Sequence, residues 1–132
     1  MSTTPDLHAH AVVVDCADHD VVVPFWEAAL GWASFRLNDQ FVRLRAPVGR
    51  HAAFDILFQR VPEPKVGKNR VHIDLDAGDM EAEVARLVDL GASVVARHSL
   101  GDFRWTILAD PEGNEFCVTI REGFPHAPVV DG

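Results

Sequence analysis

Asp18-His19-Asp20-Val21-Val22-Val23-Pro24-Phe25-Trp26-Glu27-Ala28-Ala29-Leu30-Gly31-Trp32 and Asp79-Met80-Glu81-Ala82-Glu83-Val84-Ala85-Arg86-Leu87-Val88-Asp89-Leu90-Gly91-Ala92 decide the fold. Each opens on an aspartate suited to cap a helix N-terminus, carries an apolar stripe, and closes on a glycine where a left-handed cap belongs. Phe25, Trp26, Ala29 and Leu30 make the first stripe; Met80, Val84, Leu87 and Val88 make the second. Pro24 is acceptable if it falls in the first turn, where amides lack intrahelical partners. Glu81 and Glu83 favour the start of the second helix.

Strands flank both helices. Residues 10–16 are short and β-branched and read as a buried strand; further strands are expected at 33–37, 41–46 and 53–60, with a turn at Pro47-Val48-Gly49. After the second start, Val71–Asp76 alternates as a strand should, and strands follow at 92–98, 104–109 and 115–121. Asp110-Pro111-Glu112-Gly113-Asn114 forms the last hairpin turn. The chain thus reads β-α-β-β-β twice, an internal repeat. The plain alternative is an α+β sandwich whose halves match by chance; agreement of cap, helix length and terminal glycine argues against it. The expected architecture is α+β, two βαβββ modules forming a curved, cup-like mixed sheet with helices on the outside. The expected organisation is one domain over 1–132, with module one at about 8–60, a linker at 61–69, module two at about 70–121 and a tail at 122–132.

Composition narrows the function classes. The net charge is −8 over 132 residues, which disfavours nucleic acid and anionic membrane surfaces as partners. Met1–Pro5 shows no secretory pattern and no apolar run is long enough to span a bilayer. Two cysteines without Cys-x-x-Cys spacing suit a reducing cytoplasm.

Alternation sorts the faces. Val71, Ile73 and Leu75 share one face, with His72, Asp74 and Asp76 on the other. Phe116, Val118 and Ile120 oppose Glu115, Cys117 and Thr119. The apolar faces must meet the helices, so the mixed faces point into the concavity. By the repeat, module one contributes Ala11, Val13 and Asp15, then Asp55, Leu57 and Gln59. Cys16 falls on the helix side and Cys117 on the cup side, so they should not pair.

Several stretches together resemble the vicinal-oxygen-chelate superfamily of glyoxalase I, bleomycin-resistance proteins and extradiol dioxygenases, and within it the small glyoxalase-like domain proteins. They are Val14-Asp15-Cys16-Ala17-Asp18, Phe25-Trp26 with Leu30-Gly31-Trp32, Gln59-Arg60-Val61-Pro62-Glu63-Pro64-Lys65, Lys68-Asn69-Arg70-Val71-His72-Ile73-Asp74-Leu75 and Asp110-Pro111-Glu112-Gly113-Asn114-Glu115-Phe116-Cys117-Val118. The resemblance implies paired βαβββ modules and a homodimer. It also implies metal slots on the first and last strand of each module, here Ala11, Leu57, His72 and Cys117. Ala11 and Leu57 have no donor, so no metal is expected, His72 and Cys117 being the ligands if a divalent ion is held at all. No other cofactor is expected. His10 could enter the Ala11 slot through a β-bulge. His8 and His10 otherwise form a polar lead-in.

The expected ligand-binding residues are His72, Asp74, Cys117, Glu115, Gln59 and Asp55, with His72 and Asp74 as candidates for acid–base catalysis. Against each stands a plainer role: a silent hydrogen-bonded histidine, a packing cysteine, a solvated rim carboxylate. Trp32, Trp105 and Phe103 could wall an aromatic pocket or serve the core, and Trp26 is core. Arg43, Arg45 and Arg104 would attract a carboxylate or phosphate if inward-facing. Lys65 and Lys68 are solvated or fold over the cup mouth. Three functions compete: binding of a small organic molecule without the full metal site; a lyase, isomerase or dioxygenase using His72 with metal or by metal-free acid–base chemistry; and a vestigial dimerisation module.

Overall fold

Both aspartates act as caps. In the computed structural model, which describes residues 4–48 and 54–121, the Asp18 carboxylate accepts from the Asp20 amide at 2.9 Å and opens α1 (His19–Leu30). Asp79 accepts from the Ala82 amide at 3.1 Å and opens α2 (Met80–Leu90). Gly31 closes α1 at φ 69°, a left-handed conformation costly for any residue with a Cβ, and its amide bonds the Glu27 carbonyl at 2.8 Å. α1 begins at His19, six residues ahead of Phe25, the first residue of the expected stripe. Pro24 therefore lies at the sixth helical position rather than in the first turn, and the bond its amide would have made to Asp20 is forfeited.

The chain divides into two compact units, Met1–Pro64 and Lys65–Gly132. The first contains β1 (Ala11–Cys16), α1, β2 (Ala33–Arg36), β3 (Phe41–Arg45) and β4 (Asp55–Arg60), in sheet order β1-β4-β3-β2. β1 runs parallel to β4, and the other pairs are antiparallel. The second contains β5 (Ile73–Ala77), α2, β6 (Ser93–Leu100), β7 (Phe103–Ala109) and β8 (Glu115–Ile120), in order β5-β8-β7-β6 with the same directions. The expected repeat is thus present, each copy a four-stranded mixed sheet with one helix. Strand ends differ from expectation by one or two residues. Residues 49–53, where the turn after Val48 and the start of the expected fourth strand fall, and the tail from 122 lie outside the described residues.

Each helix buries most of its expected stripe on one face of its own sheet; Val88 instead stays 42% exposed and Leu30 half-buried, because each sits at the edge of its helix's apolar face. In the first unit Val22, Phe25, Trp26 and Ala29 are buried, as are Cys16, Val42, Leu44, Ile56 and Phe58. Phe25 and Trp26 meet edge to face at 5.4 Å. In the second unit the buried set is Met80, Val84 and Leu87 with Thr106, Leu108, Phe116 and Val118. The Thr106 hydroxyl finds the Met80 sulfur at 3.7 Å, so its burial leaves no orphan. Cys16 and Cys117 are both free thiols, as the alternation predicts.

The hairpin before β8 is organised by one carboxylate. Asp110, only 3% exposed, accepts from the amides of Glu112 and Asn114 at 2.9 and 3.0 Å and from the Asn114 side chain at 3.1 Å. Gly113 adopts φ 87° and donates to the Asp110 carbonyl at 2.9 Å. This turn sets where β8 starts, and hence which face receives Glu115 and Cys117.

Candidate functional site

β5 and β8 run side by side with Asp74 in register with Cys117. Phe116 and Val118 point to α2, so Glu115, Cys117 and Thr119 take the opposite face, joined by Ile107 and Trp105 of β7. His72 precedes β5, on the same parity as Asp74. Four of the six expected ligand residues, His72, Asp74, Cys117 and Glu115, thus share one region of the second unit. Asp55 and Gln59 belong to the first unit, on the face of its sheet away from α1 and in register with Ala11 and Asp15.

The loop ahead of β5 fixes the imidazole. His72 Nε2 lies 3.1 Å from the Asn69 carbonyl oxygen, which can only accept. Nε2 therefore carries the hydrogen, and in the neutral ring Nδ1 keeps its lone pair. Nδ1 lies 4.0 Å from Cys117 Sγ. Asn69 is in turn tied to β8, its amide to Glu115 Oε2 at 3.4 Å and its side chain to the Glu115 carbonyl at 3.5 Å. Lys65 Nζ sits 3.7 Å from the same carboxylate, with the Glu115 side chain 13% exposed. One of the two loop lysines thus folds onto the end of β8. Asn69 was absent from the expected site; its signal was a loop asparagine three residues before an inward histidine.

Cys117 is 5% exposed. Burial, then the charge of Asp74 and a hydrogen bond to it, then the charge of Glu115 push its thiol from 9.0 up to about 11, while Lys68 works the other way. Two acceptors compete for the single S–H; the Asp74 carboxylate is the stronger, and His72 Nδ1 at 4.0 Å is at the outer limit of contact. At neutral pH Cys117 is a thiol, neither a nucleophile nor a ready thiolate ligand.

The remaining candidates separate. His8 is exposed, 3.8 Å from Asp6. β1 pairs with β4 without a shift from Ala11 to Cys16, so no bulge turns His10 onto the face of Ala11; its carbonyl accepts from the Asp55 amide at 3.0 Å. Asp55 carries an ion pair with Arg43 at 3.1 Å and accepts from the Ala46 amide at 2.8 Å. Arg45 and Arg104 are exposed and Trp32 is half-buried. Trp105 is half-buried, stacked between His98 at 5.2 Å and Phe103 at 5.6 Å, while Trp26 is core. Among the described residues no three His, Cys, Asp or Glu side chains are grouped to hold a metal, and no helix is long and apolar enough to cross a membrane.

A family model described as "Glyoxalase-like domain" matches residues 11–119. The chain belongs to the glyoxalase-like domain family. Solved structures carry the same fold. A glyoxalase/bleomycin resistance protein/dioxygenase family enzyme from Burkholderia phytofirmans PsJN superposes with a TM-score of 0.71 at 16% identity, over 86% of this chain and 98% of that one. Lactoylglutathione lyase from Agrobacterium tumefaciens gives 0.67 at 18%, over 94% and 100%. TnmS3, an antibiotic binding protein from Streptomyces sp. CB03234, gives 0.67 at 19%, over 89% and 98%. No curated protein matches the sequence.

The superfamily's divalent ion does not suit these residues. Two of the four slots, Ala11 and Leu57, have no donor atom. The other two offer one imidazole and one thiol held protonated, where a hard ion wants oxygen and imidazole with open positions.

Proposed function

We propose that the chain binds a small organic molecule on the helix-free faces of its sheets, without the superfamily's metal. The observation that carries this reading is the His72 imidazole: one nitrogen anchored on the Asn69 carbonyl, the other left as an acceptor beside Asp74 and Cys117. Such a group orients a ligand through a single directed hydrogen bond, with Ile107 and Trp105 of β7 as apolar surroundings. Glu115 is a further polar contact beside His72 on this reading, and Gln59 is a contact on the first sheet taken by itself. The shared fold with an antibiotic binding protein supports it at the level of architecture.

Ligand-induced shifts of the His72 ring signals, followed by NMR during titration with small aromatic hydrogen-bond donors, test the proposal. Binding that weakens on His72→Ala supports it; binding indifferent to His72 overturns it. Elemental analysis of protein purified without chelator checks the metal, which should be far below one equivalent. A second reading, metal-free acid–base catalysis, is favoured by the same fixed tautomer, because a base needs a directed lone pair. It expects a pH-dependent turnover lost in His72→Ala. The proposal includes a homodimer, which sedimentation checks, and a cytoplasmic location, which two free buried thiols support.

A further inference from the structure

On the first sheet, the face away from α1 carries a row that the His72 reading does not use. Val13 of β1, Leu57 of β4, Arg43 of β3 and Phe35 of β2 stand side by side, each in register with the next. Strands lie about 4.8 Å apart, so the row is about 14 Å wide. Val13 and Phe35 are each 52% exposed. Arg43 is the one charge in this apolar row, its side chain 33% exposed.

The guanidinium is oriented by Asp55. Nη1 donates to Asp55 Oδ2 at 3.1 Å, and Asp55 Oδ1 is itself pinned by the Ala46 amide at 2.8 Å. Asp55 is 17% exposed, so the pair is well withdrawn from water. Among the described residues this is the only bond the guanidinium makes, and Nε and Nη2 keep their donors. A half-buried ion pair adds little net stability, because desolvation offsets its attraction; apolar side chains of similar volume often serve the fold as well. The exposed pairs Arg36–Asp39 and Arg86–Glu83 are of a different kind, three residues apart on the surface.

We infer that this row is a binding site for an organic carboxylate with an apolar body. Arg43 takes the carboxylate through paired N–H donors and the body lies over Leu57 and Val13. A single negative charge suits the row better than a dianionic phosphate, since Asp55 already neutralises part of the guanidinium and the chain carries −8. The inference rests on the small-molecule reading above but uses other residues in the other unit.

The test is a backbone NMR titration of the full chain with 2-naphthoate and with the isosteric, uncharged 2-naphthamide. Naphthoate should bind at least about ten-fold more tightly, as a charge-assisted bond to one guanidinium implies. Its largest shifts should fall on β3 and β4. Arg43→Met should reduce naphthoate to the level of the amide. Because that change strands Asp55, the double variant Arg43→Met/Asp55→Leu, which replaces the pair by apolar side chains, keeps the test decisive if the single variant does not fold. Equal binding of acid and amide, a preference that survives either variant, shifts confined to β5 and β8, or no naphthoate binding at millimolar concentration would each overturn the inference. Shifts confined to β5 and β8 would leave the His72 proposal standing, and shifts on β3 and β4 alone would leave this one.

Discussion

Replacing Asp74 by asparagine should lower the Cys117 pKa part of the way from about 11 toward 9.0. The carboxylate raises it twice, through its charge and as acceptor of the S–H, whereas burial, the largest cause, is untouched by the change. A pKa of about 11 rather than 9.0 leaves about 0.1% thiolate at pH 8 instead of about 10%, a factor of about one hundred. The folded pKa is raised, so stability is unaffected by this thiol below pH 9 and falls as pH rises through about 11. The assay is thiolate absorbance at about 240 nm against pH in a Cys16→Ala background, which leaves one thiol. Alkylation rate is a weaker readout, because a side chain 5% exposed reacts slowly whatever its pKa. A native thiol that titrates at or below 9.0, or one whose pKa rises in Asp74→Asn, would refute the electrostatic account.

Three further changes probe the scaffold. Asp110→Ala removes the acceptor of three hydrogen bonds in the turn before β8 and should cost about 2–4 kcal/mol in urea unfolding, with Glu115 and Cys117 losing their placement. Phe116→Ala empties a fully buried site under α2 and should cost about 3–5 kcal/mol by the same measurement. Pro24→Ala restores an amide donor within α1 and should raise the midpoint by an amount equivalent to about 1–3 kcal/mol, less the entropy the unfolded chain regains.

The common face of His72, Asp74, Glu115 and Cys117 is legible from alternation alone, because a strand's side chains change sides at every residue. The engagement of those side chains was not legible. Glu115 is held by Lys65 and by Asn69, and His72 by the Asn69 carbonyl; these bonds depend on how a proline- and glycine-containing loop closes on β8, which no periodicity encodes. Nor does the sequence show that the Asp55 carboxylate bonds Arg43 and the Ala46 amide, a consequence of strand pairing.

The amino-acid sequence by itself determined the two βαβββ modules, their capped helices, and the sides on which Cys16 and Cys117 lie. Those features follow from local rules, the capping of free amides and the periods of helix and strand. Tertiary structure alone decided which polar groups are already satisfied and which keep a free donor or lone pair. That depends on strand register and loop closure, which bring together residues distant in the chain, Arg43 beside Asp55 and His72 beside Cys117.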